Sequence, residues 1–327
     1  MMRWPAVLLF AATLIASAEA QPTPPYRYFR VGSSAAVAVH PRAGYALMGG
    51  GTDQDSTFQW LCDHADGGDF LVLRATGTDA YNLYIQGLCH LNSVATLIIP
   101  DRAAAGDPFV TVTITHAAAI FIAGGDQANY IRNWAGSPVE AALRRAVKHG
   151  VPMGGTSAGL AVLGQYIYSA QNDQPNGPDL TADVALKDPF ASQVVIAPDL
   201  LGIPILRGVI TDSHFDTRRR EGRLLVFMAR ILASGQTGRI RGIGIDEKTA
   251  VLVEADGHAQ VVGQGDAHFY EASSKPQQCE PGKPLTFKSV SERSVRAGDT
   301  FDLVHWTGNA VPSYVLIENG SMGAFPD

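Results

Sequence analysis

From Tyr45 onward the chain alternates short apolar runs with amphipathic stretches, and this alternation limits the fold more than any other feature. Tyr45-Ala46-Leu47-Met48 runs into Gly49-Gly50-Gly51, the pattern of a buried strand ending in a turn. Phe58, Leu61, Cys62 and Ala65 then fall at i, i+3, i+4 and i+7, the stripe of a helix packed on a sheet. Phe70 to Ala75 reads as a second strand, Tyr81, Tyr84, Ile85 and Leu88 as a second helix, and Ala95 to Ile99 as a third strand. Ala119 to Ala123 continues the series. Ser137-Pro138-Val139-Glu140 then opens a helix with a capping hydroxyl, a proline in its first turn and a glutamate reaching back. Strands separated by helices imply a parallel sheet covered on both faces, so the expected fold is α/β: three layers, doubly wound, with a mostly parallel sheet. In such sheets ligands bind beyond the carboxyl ends of the strands.

This pattern covers residues 44–272. From about Ser273 the chain turns polar and then β-like at Thr300 to Val304 and Ser313 to Ile317, which reads as a small C-terminal β appendage over 273–327. At the other end, Arg3, the apolar run Val7 to Ala16 and the small-x-small triplet Ala18-Glu19-Ala20 form an export signal over residues 1–20. Its apolar stretch is shorter than the ~20 residues a membrane span needs. The expectation is a mature chain starting near Gln21, secreted or periplasmic, with 21–43 as an N-terminal linker and no membrane association. Hydrophobic residues make up 46% of the chain, too many for disorder, and 25 basic side chains against 31 acidic give a net charge of −6, which disfavours a nucleic-acid partner. The three cysteines, Cys62, Cys89 and Cys279, make neither a disulfide framework nor the paired spacing of a zinc site. Cys62 and Cys89 lie near the ends of neighbouring predicted helices and either pair or pack as thiols.

Gly155-Thr156-Ser157-Ala158-Gly159 places a serine between glycines where a predicted strand turns into a helix. In that context Ser157 reads as a nucleophile, with Ala158 N–H as an oxyanion donor; the plainer reading is a helix cap. A serine hydroxyl needs a base. Of nine histidines, His214 stands out because it follows the apolar run Gly208-Val209-Ile210 and so occupies a strand end at the expected sheet edge of Ser157. A carboxylate must orient the imidazole, and Asp246 or Glu247, after Gly242-Ile243-Gly244-Ile245, fits. Gly124-Gly125-Asp126-Gln127 ends another strand. Gly125 supplies a second oxyanion donor and Gln127 a substrate contact, or the segment is a plain turn. Arg218, Arg219, Arg220 and Arg223 either trap an anionic ligand or pair with carboxylates such as Asp212, Asp216 and Glu221.

Taken together, these segments resemble the cyanophycinase family, which includes aspartyl dipeptidases: Gly-Gly-Asp-Gln at 124–127, Gly-Thr-Ser-Ala-Gly at 155–159, Asp212-Ser213-His214-Phe215 with the following arginines, and 242–250. The resemblance implies a flavodoxin-like or class I glutamine-amidotransferase-like fold. It implies a serine exopeptidase without metal or cofactor, in which Ser157 is nucleophile, His214 base and Glu247 its acidic partner. It also implies that Gln127, Asp212, Arg218, Arg220 and Arg223 line a pocket for a peptide or cyanophycin-like substrate. Ser213 stands where cyanophycin-degrading members carry glutamine, which bears on the substrate. The tail after Ser273 is free to shape the pocket or a homodimer interface. Two other readings stand beside this one: a non-catalytic binding protein on the same fold, and a metallohydrolase using Asp212, His214 and Asp216.

Overall fold

The expected strands form because their side chains are hidden on both faces. In the computed structural model, which describes residues 1–2, 23–173 and 179–324, every residue of Gly44–Met48, Ser93–Ile98, Ala119–Ile122 and Met153–Thr156 is buried. Strands covered on both sides read as continuous apolar runs, which is why they are visible in the sequence. The export-signal reading of Arg3 to Ala20 lies outside the described residues.

These strands, with Asp69–Arg74, make the parallel centre of a ten-stranded sheet in the order Ser93–Ile98, Asp69–Arg74, Ala119–Ile122, Met153–Thr156, Gly44–Met48. Helices Asp55–His64 and Pro138–Lys148 pack on it through the predicted residues: Phe58, Leu61 and Cys62 on one, Val139, Ala142, Leu143, Ala146 and Val147 on the other. The expected cap is formed as well. Ser137 Oγ accepts from Val139 N–H at 3.2 Å, and Glu140 reaches back to Gly136 N–H at 2.6 Å. Cys62 and Cys89 are joined in a disulfide that ties Asp55–His64 to the end of helix Tyr81–Leu88, and Cys279 is free.

Two features were not evident from the alternation. Residues 21–43, read as a linker, contain the strand Arg27–Gly32, which pairs antiparallel with Ser93–Ile98 at the sheet edge. It is partly exposed along its whole length and carries Arg27 and Arg30, as an edge strand does. Tyr26 stacks on Phe109, with ring centroids 4.8 Å apart. There is also a second sheet of eight strands, in which Val209–Asp212 lies parallel to Tyr166–Tyr168 and Ile240–Ile245, and Ile240–Ile245 pairs antiparallel with Asp266–Ala272. The strands described within residues 273–324 join both sheets. Phe287–Arg296 extends the second, while Thr300–Asp302 extends the first through His258–Gly263. Phe287, Phe301, Trp306 and Ile317 are buried there.

Candidate active site

Ser157 follows strand Met153–Thr156 with φ 54° and ψ −114°, a conformation that a residue with a Cβ adopts only when its surroundings impose it. The flanking glycines permit the turn. A Cβ on Gly155 would sit 2.5 Å from the Gly159 carbonyl carbon, and one on Gly159 only 1.9 Å from Ile122 O. Ser157 therefore stands clear of the core at the strand end, half-buried, with the short helix Ala158–Ala161 starting behind it.

His214 and Glu247 come from the other sheet. The sequence reading put Ser157 and His214 at one sheet edge; instead His214 follows Val209–Asp212 and Glu247 follows Ile240–Ile245, so the site spans the junction between sheets. The joint is the glycine turn after Gly44–Met48. Ser157 N–H donates to Met48 O, His214 N–H to Gly49 O at 2.7 Å, and Lys248 N–H to Gly50 O at 2.9 Å. Gly50 has φ 95°, and a Cβ there would lie 2.5 Å from His214 Cε1. Sequence reasoning took Gly49-Gly50-Gly51 for a plain turn. The length of the glycine run was the signal that the chain passes close to something.

Across this joint Ser157 Oγ lies 2.7 Å from His214 Nε2, and His214 Nδ1 lies 2.6 Å from Glu247 Oε1. A neutral imidazole satisfies both contacts in one tautomer: Nδ1–H donates to the carboxylate and Nε2 accepts from the serine hydroxyl. Burial pushes the His214 imidazole below its ordinary pKa; Glu247 opposes the shift, while Arg218 and Arg220 add to it. Of Asp246 and Glu247, Glu247 is the one in contact with the imidazole. Asp246 points elsewhere and accepts Asp216 N–H and Asp266 N–H, each at 3.0 Å.

Ser157 opens into a cavity of about 500 Å³ whose wall includes Gly125, Gln127, Ala158, Asp212, Arg218, Arg220 and Arg223. The sequence brought all of these forward, and the fold gathers them. Their partners differ. Arg223 is 2% exposed and binds Asp212 twice, each bond 2.7 Å, with Leu180 O as a third partner, so it forms a buried ion pair in the wall. Arg220, also buried, donates to Ser213 O at 2.9 Å and reaches Asp179. Arg218 is half exposed and pairs with Asp179 at 2.7 Å. Opposing burial, these arginines hold the Asp179 carboxyl below its ordinary range. Asp126 caps helix Gln127–Trp134 through Ala128 N–H, which places Gln127 at the cavity rim. Asp179, Asp173 and Tyr168 also line the cavity and were missed. Asp173 and Asp179 lie in a polar stretch with no periodicity to flag them. A wider groove of about 810 Å³, beside strand Ile196–Pro198 and Cys279, contains none of the predicted residues. Among the described residues no three His, Cys, Asp or Glu side chains are grouped so as to hold a metal ion.

The family profile of peptidase family S51 matches residues 98–261, half of the chain, a span that contains Gly125, Ser157, His214 and Glu247. The chain belongs to peptidase family S51. Among curated proteins it is similar to the cyanophycinase of Trichormus variabilis, 29% identical over 219 residues, which is 65% of this chain and 66% of that one. The cyanophycinase of Synechococcus elongatus is 29% identical over 220 residues, 65% of this chain and 61% of that protein. That of Geminocystis herdmanii is 32% identical over 170 residues, 52% and 55% of the two chains. The match thus spans less than two thirds of these relatives' own length. Among solved structures, a peptidase from an acI-B1 actinobacterium superposes with a TM-score of 0.52 at 18% identity, covering 80% of this chain and 98% of that one, which supports the shared α/β fold.

Proposed function

We propose that this S51 member is a secreted serine exopeptidase that hydrolyses peptide or isopeptide bonds beside aspartate. The observation that carries the reading is the unbroken contact chain from Ser157 Oγ through His214 to Glu247, with bonds of 2.7 and 2.6 Å. In the reaction His214 Nε2 takes the hydroxyl proton as Ser157 Oγ attacks the scissile carbonyl carbon. Glu247 keeps Nδ1 protonated and steadies the imidazolium that forms. The carbonyl oxygen becomes an oxyanion facing the N–H groups of Gly125 and Ala158. Collapse breaks the C–N bond, and His214 returns its proton to the leaving amine. Water, deprotonated by the same histidine, then attacks the acyl-enzyme, and Ser157 recovers its proton.

The substrate reading rests on the arginines together with the cyanophycinase relatives. Arg218 and Arg220 hold the half-exposed Asp179 carboxylate at the cavity mouth. The Arg218–Asp179 pair is exposed and contributes little, about 0–1 kcal/mol, so an aspartyl carboxylate of the substrate can take the place of Asp179 on Arg218 at small cost. Support for secretion comes from the pattern of residues 1–20 and from the Cys62–Cys89 disulfide, since disulfides persist in oxidising compartments.

The test is digestion of cyanophycin and of a panel of α- and β-aspartyl dipeptides by the mature protein, with labelling of Ser157 by a fluorophosphonate. Ser157→Ala should keep its thermal midpoint and lose about 10⁴-fold or more in kcat. Peptidase activity retained in that variant, or a wild type that neither cleaves nor labels, would end the reading.

A further inference from the structure

Behind the contact chain lies a second, partly buried set of titratable groups for which the proposed reaction has no use. His268, on strand Asp266–Ala272, has Nδ1 3.1 Å from Glu292 Oε1 and Nε2 3.6 Å from Asp246 Oδ1. Tyr270 OH lies 3.1 Å from Glu221 and 3.2 Å from Glu292, and Ser313 Oγ donates to the other Glu292 oxygen. Asp183 and Arg219 line the same hollow. Phe215, the residue after His214, packs on the His268 ring with centroids 5.1 Å apart, in space left by Gly244, where a Cβ would come within 2.4 Å of the Phe215 ring.

The set connects to the active site through Asp246. Its carboxylate is the neighbour of Glu247 in sequence, and it holds Asp216 N–H in the His214 turn and Asp266 N–H on the next strand. The backbone bond from Phe215 N–H to Ile245 O is the other tie across the same gap. Both His214 and Lys248 sit at positive φ, 49° and 58°, so the turns carrying base and acid are held against their own preference. A part fixed in this way relaxes when its ties are weakened.

Building on the serine-peptidase reading, we propose that His268 is a positioning residue: as an imidazolium clamped between Asp246 and Glu292, it fixes Asp246, and through it the mutual placement of the turns that carry His214 and Glu247. The charge balance supports this. Burial works against a charged imidazole, but the hydrogen bond to Glu292 and the Asp246 carboxylate 3.6 Å away outweigh it and carry the His268 pKa up to about 9. His268 likewise holds the Glu292 carboxyl below the ordinary range, and against burial His268 with the N–H groups of Asp266 and Asp216 does the same for Asp246. Glu221, facing the cluster from helix Glu221–Ala233, is pushed up by burial and by Glu292. These contacts favour the charged form of His268, while burial favours the neutral form of His214.

The experiment follows the downfield proton of the His214–Glu247 hydrogen bond by NMR from pH 7 to 10, together with the rate of fluorophosphonate labelling of Ser157. In the wild type the proton signal shifts and labelling slows as His268 loses its charge near pH 9. His268→Gln and Asp246→Asn should lower kcat and the labelling rate by up to about 100-fold at pH 7 with KM little changed, and remove the alkaline step. A folded variant that retains the wild-type proton signal and labelling rate would overturn the proposal. So would a wild-type proton signal that stays constant across pH 9, a measurement that needs no variant to fold and no catalysis to occur. Failure of the peptidase reading looks different: Ser157 is then unlabelled in every protein, while the proton still responds to His268.

Discussion

In the proposed reaction Glu247 acts through the tautomer of His214, so the informative change keeps its shape and removes its charge. Glu247→Gln should leave the fold intact and lower kcat by about 10⁴-fold, because an amide no longer requires a proton on Nδ1. The pH dependence follows from the direction of the His214 shift. Burial, with Arg218 and Arg220 adding to it, lowers the pKa, so the neutral base survives to lower pH than an ordinary imidazole. The acid limb of kcat/KM against pH should have its midpoint below about 6.5, and a midpoint above that value would contradict the burial argument. At this scale the sequence disclosed identities better than partners. Asp246 and Glu247 were equivalent candidates because both end the same strand. They divide because the strand ends at Ile245 and the chain turns at Glu247, which leaves Glu247 against His214 and Asp246 facing His268. His268 and Asp179 gave no sequence signal, since each gains its meaning from partners more than twenty residues away: Glu292 for the first, Arg218 and Arg220 for the second.

At the scale of elements, the glycine turn at 49–51 does what a longer loop could not, bringing backbone carbonyls to both halves of the site. Gly50→Ala tests this. At φ 95° an L-residue is strained by about 1–3 kcal/mol, and the added methyl meets the imidazole ring. Stability measured in urea should fall by that amount, while kcat falls by about 100-fold because the displaced group is the base itself. Gly87→Ala is the matching control. Gly87 is exposed in the last turn of helix Tyr81–Leu88, and a methyl added there would meet no atom within 4 Å, so alanine should stabilise by up to about 0.5–1 kcal/mol and leave kcat alone. Equal effects of the two changes on activity would mean that the turn does not hold the two halves of the site together. The sequence revealed strands and helices wherever one period dominated. It hid the pairing of Val209–Asp212 and Ile240–Ile245 in a sheet of their own, because a buried parallel strand has the same apolar signature whichever sheet receives it.

For the whole molecule the open question is whether residues 273–327 can be removed. Their sequence is polar because most of their strands bury one face only; Ser313–Glu318, for example, buries Val315 and Ile317 and leaves Ser313 and Glu318 exposed. One-sided strands still add to a core. Phe301 stacks on Phe269 at 3.8 Å between ring centroids, Trp306 meets both rings edge-on, and Arg241 lies over the Trp306 indole. Burying an aromatic or large aliphatic side chain is worth about 1.5–3 kcal/mol, and Phe287, Phe301, Trp306 and Ile317 together amount to roughly the whole net stability of an ordinary domain. Truncation would also uncover Asp266–Ala272 and His258–Gly263 as unpaired edges, and would remove Glu292 from beside His268. A chain ending at Ala272 should therefore be insoluble or unfolded, with no cooperative thermal transition and no labelling of Ser157. A soluble, cooperatively melting fragment that still labels would show that the α/β part sustains the site alone, and that the C-terminal strands serve some purpose other than completing the fold.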